Sequence, residues 1–339
     1  MCCLPLQPEY RRKIQYDIGV LQTYESSLKI KPMHTGKNKC VIALDIGGTS
    51  LKWTLIDLNN PDSSISINCF QKISIDSEAS AEVIMRTFIQ TIKMAFQKVR
   101  ALEFEAVGIG ISMPGPFDYE KSISLMRHKF RGIYGIDLKG KLIQLLQLGE
   151  EFTIQFKLDS EAFLIGEAWR GAAQGYNRII GLTLGTGIGS SFMINDRIVK
   201  AGPGIPPNGA IWCLPYEDGI VEDKISQRGI LKKYQELGGN CSEILGVKEI
   251  SSLASKGDRI SLQAFKGFGL VLGKILKPIV SQFRAQCLVL GGQISNGFSL
   301  FMDPLKKELQ SIPDLKEVAS GDLLDLSALY GVAKRFTGG

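Results

Sequence analysis

The stretch Val41-Ile42-Ala43-Leu44-Asp45-Ile46-Gly47-Gly48-Thr49 decides how the rest of the chain is interpreted. Its apolar residues predict a buried strand, and the glycines after them predict a turn. Residues 51–58 are again mostly apolar and predict a second strand. The turn therefore joins two strands, unlike the strand-to-helix glycine turn that binds dinucleotides.

A similar pattern occurs in the second half of the chain. When residues 42–57 are aligned with residues 180–195 without a gap, each copy shows an apolar strand, a turn of glycine and threonine, and another strand that ends in a polar turn. Internal similarity of this kind indicates two related lobes, with a ligand in the cleft between them.

The remaining pattern alternates strands with helices. The predicted strands are 69–75, 106–112, 153–158, 179–184, 190–194 and 287–290, and the predicted helices are 82–103, 138–147, 160–169, 223–237, 258–283 and 323–336. Such an order predicts an α/β protein with mixed sheets.

The length of 339 residues exceeds what one hydrophobic core usually supports, so two lobes are expected. We expect an N-terminal extension over residues 1–38, with one helix near 8–24. An N-terminal lobe over 39–157 and a C-terminal lobe over 158–321 follow, and a helix over 322–339 packs back on the N-terminal lobe.

Composition excludes several classes of protein. The formal charge of +6 is spread along the chain without an arginine-rich stripe, so nucleic acid is not an expected partner, whereas a polyanion such as ATP is compatible. Seven scattered cysteines and two histidines predict reduced thiols and a cytoplasmic protein. Residues 268–283 form the longest apolar stretch, but lysines interrupt it, so no membrane segment is expected.

The glycine turns suggest phosphate binding. Without a Cβ atom, glycine lets backbone N–H groups approach phosphate oxygens, and a threonine hydroxyl adds a donor. Asp45, at the end of a strand, could hold a hydrated Mg²⁺. One such turn alone is more often a simple hairpin, but the pair of turns, together with Gly291-Gly292 after a further strand, favours phosphate.

Asp159 lies where a short strand becomes a helix. One interpretation is a helix N-cap. The other is a general base that accepts the proton of a hydroxyl as its oxygen attacks the terminal phosphate.

Several motifs occur in the order of one family. They are Asp45-Ile46-Gly47-Gly48-Thr49, Ser112-Met113-Pro114-Gly115-Pro116, Asp159, Leu184-Gly185-Thr186-Gly187-Ile188-Gly189 and Leu290-Gly291-Gly292. From about residue 39 onward the chain thereby resembles the ROK family of repressors, open-reading-frame proteins and kinases, in the actin-like, sugar-kinase ATPase superfamily. The resemblance implies two ribonuclease-H-like lobes with mixed sheets and an interlobe cleft for ATP, Mg²⁺ and a hexose or amino sugar.

The resemblance also implies residue roles. Asp159 would be the catalytic base, and Asp45 would contact Mg²⁺. Nucleotide and phosphate contacts would come from Asp45, Gly47, Gly48, Thr49, Lys52, Gly185, Thr186, Gly187, Gly291 and Gly292. Sugar contacts would come from Ser112, Pro114, Gly115, Asn208, Gly209 and Glu222. A homodimer is a further expectation from the family.

The chain departs from the family pattern at two places. Leu158 stands where the kinases usually carry asparagine before the catalytic aspartate. Gly209-Ala210-Ile211-Trp212-Cys213 replaces the Gly-Glu-x-Gly-His segment, and the cysteine cluster that completes its zinc site is missing, so no zinc is expected. Glu222 resembles the glutamate that closes this segment and contacts sugar hydroxyls.

Two loops have alternative interpretations. His128 lies among Arg127, Lys129 and Arg131, which is typical of a solvated basic loop, although a contact with sugar or polyanion is the alternative. Trp212 and Tyr216 could stack on a sugar or pack beneath their loop.

The sequence therefore predicts an ATP-dependent kinase of the glucokinase or N-acetylhexosamine kinase type, a phosphotransferase with an alcohol acceptor. One alternative is a pseudokinase that binds sugar or nucleotide without turnover, which Leu158 and Ala210 favour. Another is a sugar-sensing regulator of the same family. Such regulators carry a winged helix-turn-helix module, for which the stretch before Cys40 is short. A fourth hypothesis keeps the chemistry with polyphosphate as the donor.

Overall fold

The computed structural model describes residues 38–240 and 246–338, and the helix predicted near residues 8–24 lies outside them. The chain divides into two compact units. The first comprises Met1–Asp159 with Val332–Gly339, and the second comprises Ser160–Gly331.

The first unit is built on a five-stranded mixed sheet. Its elements are β1 (Asn38–Ile46), β2 (Ser50–Asp57), α1 (Ile65–Asn68), β3 (Gln71–Ser74), α2 (Ala81–Ala101), β4 (Phe104–Met113), β5 (Phe117–Asp118), β6 (Ile123–Ser124), α3 (Leu138–Leu146) and β7 (Thr153–Leu158). The strand order is β3-β2-β1-β4-β7. The pairs β3–β2 and β2–β1 are antiparallel, whereas β1–β4 and β4–β7 are parallel.

Residues on both faces of this sheet are buried. Residues 40–44 of β1 are almost inaccessible to solvent, which explains the continuous apolar run. On β4, a Cβ atom at Gly110 would lie 2.9 Å from the Cβ atom of Val332, and one at Gly108 would overlap the ring of Phe336. Glycine at these positions therefore lets the C-terminal segment pack closely on the strand.

The second unit has the same sheet order. Its elements are α4 (Asp159–Arg170), which begins at the last residue of the first unit, β8 (Arg178–Leu184), β9 (Ile188–Ile194), β10 (Arg197–Val199), β11 (Pro215–Tyr216), β12 (Gly219–Ile220), α5 (Val221–Ile225), α6 (Gln227–Glu236), α7 (Val247–Ser255), α8 (Arg259–Phe283), β13 (Cys287–Gly291), α9 (Phe298–Leu309), β14 (Glu317–Ser320) and α10 (Ser327–Ala333). The order β10-β9-β8-β13-β14 repeats the antiparallel and parallel pairs of the first unit.

The repeated sheet order confirms the internal duplication, with a correction at the turn. Ile46 pairs with Leu51 across the first hairpin, and Leu184 pairs with Ile188 across the second. The first connection is thus one residue longer, so the gapless alignment is one residue out of register over the second strand.

Three predicted elements are wrong in extent. The strand predicted over 69–75 is confined to Gln71–Ser74, because Cys69 ends α1. The helix predicted over 223–237 is interrupted at Ser226, whose backbone is extended. The closing helix predicted over 323–336 is α10 with a 3-10 turn on each side. Within the described ranges no helix is both long and apolar enough to cross a membrane.

Candidate functional site

In the first unit, the predicted site residues lie at the carboxyl edge of three adjacent parallel strands. Asp45 of β1 is in register with Ser112 of β4, and Ser112 is in register with Lys157 of β7. Asp159 follows two residues after Lys157. The carboxyl ends of parallel strands are the usual position of ligand sites in open α/β sheets. The fold thus brings Asp45, Ser112 and Asp159 to one edge.

Asp45 is held by two donors. The Ser112 hydroxyl donates to Oδ1 at 2.7 Å, and Lys52 Nζ donates to Oδ2 at 3.2 Å. Ser112 is fully buried, and the side chain of Asp45 retains 16% of its exposure. Lys52 and Ser112, predicted as a nucleotide contact and a sugar contact, therefore both contact the same carboxylate.

The first glycine turn leaves its backbone accessible. Gly47 N–H donates to the Ser50 carbonyl at 2.8 Å, which closes the turn. A Cβ atom at Gly48 would meet no other atom, and Thr49 is exposed. An incoming anion could therefore approach this backbone closely.

The segment after β4 lies beside the end of β7. The Tyr119 hydroxyl donates to the Met113 carbonyl at 2.8 Å, and Pro114 is buried. A Cβ atom at Gly115 would lie 3.7 Å from a methyl group of Leu158. Gly115 and Pro114 are therefore next to the strand that leads into Asp159.

Lys129 is a functional candidate that the sequence interpretation missed. Burial lowers the pKa of its ammonium group, and the negative charge of Asp159 acts in the opposite direction. Met126 and Phe130 are fully buried on either side of residues 127–129, and Phe130 N–H donates to the Ser77 carbonyl at 2.7 Å. The apolar residues Met126 and Phe130 were the feature of the sequence that could have predicted partial burial of Lys129.

The other basic residues of this segment fit the solvated interpretation. Arg127, His128 and Arg131 are exposed, and the Arg127 guanidinium stacks on the ring of Tyr134. Desolvation and the neighbouring charges of Lys129 and Arg131 lower the pKa of His128. The interpretation of a solvated loop is therefore wrong for Lys129 alone.

In the second unit, two glycine motifs meet at one end of the sheet. Gly291 on β13 is in register with Thr183 on β8, and Gly292 follows with φ +84°. A Cβ atom at Gly292 would overlap the backbone of Leu184, the residue before Gly185. Only glycine allows this approach and this backbone conformation. The turn of Gly185, Thr186 and Gly187, of which the last two residues are exposed, therefore lies beside Gly291-Gly292.

The turn at 185–187 is braced by α5 and α6. Gln227 N–H, at the start of α6, donates to the Gly185 carbonyl at 2.9 Å. Glu222 on α5 accepts from Ile188 N–H at 3.1 Å, and its other carboxylate oxygen lies 3.1 Å from the Arg228 guanidinium. Glu222, predicted as a sugar contact, thus lies directly against the glycine turn.

The segment that replaces the zinc motif is fastened to β9. Asn208 is exposed with φ +57°, and Gly209 is buried with its carbonyl accepting from the Ser190 hydroxyl at 2.5 Å. Cys213 is a free, exposed thiol. Over residues 38–240 and 246–338, no group of three or more His, Cys, Asp or Glu side chains could hold a metal ion.

The donor set at Asp45 fits magnesium bound to nucleotide. Mg²⁺ usually keeps several waters and takes one or two carboxylates together with substrate phosphates. One carboxylate, already oriented by Ser112 and Lys52, meets that requirement. The remaining ligands of the ion would be water and phosphate oxygens.

Comparisons with known proteins identify the family. The model of the ROK family matches residues 41–320. The Thermotoga maritima glucokinase is 26% identical over 321 residues, covering 86% of this chain and 96% of the relative. The Bacillus spizizenii xylose repressor is 25% identical over 312 residues, covering 89% and 76%.

A solved structure has the same fold. The ROK family glucokinase from Streptomyces griseus, in complex with glucose and AMPPNP, superposes with a TM-score of 0.66 at 21% identity, covering 87% of this chain and 98% of that chain. Together with the family match over most of the length, the comparison agrees with the actin-like fold expected from the motifs. The chain belongs to the ROK family.

Proposed function

We propose that the protein transfers the terminal phosphate of ATP to a hydroxyl of a hexose or N-acetylhexosamine, with Asp159 as the general base. The observation that carries the proposal is the shared sheet edge, where the Asp45–Ser112 pair and Asp159 end neighbouring parallel strands. The likeness to glucokinases supports the same reaction class.

Each half of the chain supplies part of the chemistry. Asp159 accepts the hydroxyl proton, and Lys129 provides a positive charge near that carboxylate. The turns at 47–49 and 185–187 offer backbone N–H groups to phosphate oxygens, while Gly291 and Gly292, beside the second turn, are the candidates for contact with the nucleoside. Mg²⁺ bound to the nucleotide and to Asp45 would neutralise phosphate charge.

The relatives support a sugar as the acceptor. The Streptomyces griseus structure contains glucose and AMPPNP, and the Haemophilus influenzae relative is an N-acetyl-D-glucosamine kinase. In this chain, the candidates for sugar contact are Ser112, Pro114, Gly115, Asn208, Gly209 and Glu222.

The test is ADP release from ATP and Mg²⁺ across a panel of hexoses and amino sugars. We expect turnover that depends on one class of sugar and falls by about 10²–10⁴-fold in Asp159→Asn, because a general base contributes that much. Lys157→Gln, two residues earlier on β7, is the matched control for loss of a neighbouring charge. Undiminished turnover in Asp159→Asn would refute the assignment of the base.

A second candidate function is sugar or nucleotide binding without turnover. Leu158 precedes Asp159 and packs near Gly115 instead of offering a polar side chain, and a repressor is among the relatives. Nucleotide binding by calorimetry, with no ADP release for any sugar or polyphosphate, would favour this alternative.

A further inference from the structure

The structure separates the two aromatic residues of the irregular loop. Tyr216 is partly buried and packs against the core of the second unit. Trp212 keeps 44% of its surface exposed. Tyr216 therefore has a packing role, whereas a large part of the Trp212 surface is accessible to a ligand.

A closed circuit of hydrogen bonds fixes the backbone of Trp212. Glu222 N–H donates to the Trp212 carbonyl at 3.0 Å, and Ile188 N–H donates to the Glu222 carboxylate at 3.1 Å. Ser190, two residues after Ile188, accepts at its hydroxyl from Ile211 N–H at 3.0 Å. Ile211 is fully buried and directly precedes Trp212 in the chain, so the peptide bond between them closes the circuit.

These bonds place the backbone of an exposed tryptophan one hydrogen bond from the backbone of Glu222, whose carboxylate contacts the glycine turn. Glu222 is oriented from both sides, because Ile188 holds one oxygen and Arg228 the other. An aromatic face next to a few fixed polar groups is the usual composition of a small-molecule site. A pyranose matches both parts, since its C–H face is apolar and its edge carries hydroxyl donors.

We propose that Trp212 is a specificity-determining residue whose indole stacks on the ring of the acceptor sugar, in addition to the candidate sugar contact of Glu222. This inference rests on the proposed function, because it names the surface that binds the acceptor. It goes beyond the motif residues, since Trp212 lies in the segment that replaces the zinc motif.

Intrinsic fluorescence tests the contact without requiring turnover. The chain has three tryptophans: Trp53 is fully buried, Trp169 packs edge-on against Tyr330, and Trp212 is exposed. We expect D-glucose or N-acetyl-D-glucosamine to shift the emission of the wild type and of Trp169→Phe but not of Trp212→Phe. If neither sugar changes the wild-type emission, or if Trp212→Phe responds like the wild type, the inference is wrong.

Steady-state kinetics gives the second measurement. Trp212→Ala should raise the KM for sugar about tenfold, as expected for loss of one aromatic contact, and leave the KM for ATP unchanged. Trp212→Phe should restore most of the affinity. Because Trp212 keeps 44% of its surface exposed, Trp212→Phe should change the thermal midpoint little, and Trp212→Ala should lower it less than truncation of a fully buried tryptophan would. An unchanged KM for sugar in Trp212→Ala would overturn the inference.

The two proposals fail in different ways. A sugar-dependent shift in Trp212 emission without any ADP release would leave the stacking inference intact and refute kinase activity. If the protein phosphorylates sugar and Trp212→Ala leaves the KM for sugar unchanged, kinase activity would be supported and the stacking inference refuted. A change of Trp212 emission with protein concentration alone, without sugar, would assign the indole to contact between copies and contradict the stacking inference.

Discussion

The hydroxyl of Ser112 lies 2.7 Å from Oδ1 of Asp45, although 67 residues separate them in the chain. The register between β1 and β4 places them side by side. Since Lys52 donates to the other oxygen, the carboxylate has a single orientation. An oriented acid is what a hydrated, nucleotide-bound metal ion requires at this edge.

Removal of the Ser112 hydroxyl should lower the free energy of unfolding. Ser112→Ala removes a hydrogen bond to a charged group in a buried place, so we expect a loss of about 1.5–3 kcal/mol in the free energy of unfolding. Urea denaturation measures it. The matched control is Ser124→Ala, because the Ser124 hydroxyl is equally buried and has no hydrogen-bond partner among the described residues. An equal loss in both variants would contradict the importance of the Asp45 contact.

Lys129 should destabilise the protein at neutral pH. Because burial lowers its pKa, the folded state binds the proton less tightly than the unfolded state, and the wild type gains stability as pH rises through the lowered pKa. Lys129→Met lacks this cost. The variant should therefore unfold at higher urea concentration at neutral pH, and its advantage should disappear at alkaline pH.

The turnover of Lys129→Met should fall, whereas its stability at neutral pH should rise. If the positive charge near Asp159 assists the base, Lys129→Met lowers turnover although it stabilises the fold. Lys121→Met, in an exposed turn of the same unit, is the control. A variant that is both more stable and fully active would show that Lys129 has no catalytic role.

Much of the fold could be predicted because local patterns and tertiary structure agree. The buried run before Asp45 and the two glycine turns predicted the hairpins. The repeat predicted two related lobes, and the structure gives both units the same sheet order. The one-residue difference between the turns could not be seen, because Ser50 and Leu51 both continue an acceptable strand pattern.

The misassigned features depend on contacts between distant residues. The closing helix begins late because the buried carboxylate of Glu167 accepts from the backbone of Asp322 and Leu323 and from the Ser327 hydroxyl. These bonds hold residues 322–326 outside a continuous helix. Lys129 was missed for a related reason, since its partner Asp159 is on another element.

Gly292 should not tolerate a side chain. Gly292→Ala places a Cβ at φ +84° and against the Leu184 backbone, so we expect a loss of about 1–2 kcal/mol from the left-handed conformation and about 1–3 kcal/mol from crowding. Gly238→Ala separates the two costs, because Gly238 has φ +88° and open space around it. Thermal unfolding should rank Gly292→Ala well below Gly238→Ala, and equal midpoints would show that the approach to Leu184 is not tight.

Glu222 has two candidate roles that substitutions can separate. Glu222→Gln keeps an acceptor for Ile188 N–H but loses the charge, so we expect nearly unchanged stability and a higher KM for sugar. Glu222→Ala also releases the glycine turn, which should raise the KM for ATP as well and cost about 1–3 kcal/mol in the free energy of unfolding. Arg228→Gln is the control: the arginine is 62% exposed, so loss of its ion pairs with Glu222 and Asp223 should cost at most about 1 kcal/mol. If Glu222→Gln left the KM for sugar unchanged while Glu222→Ala raised only the KM for ATP, Glu222 would brace the turn and not contact the acceptor.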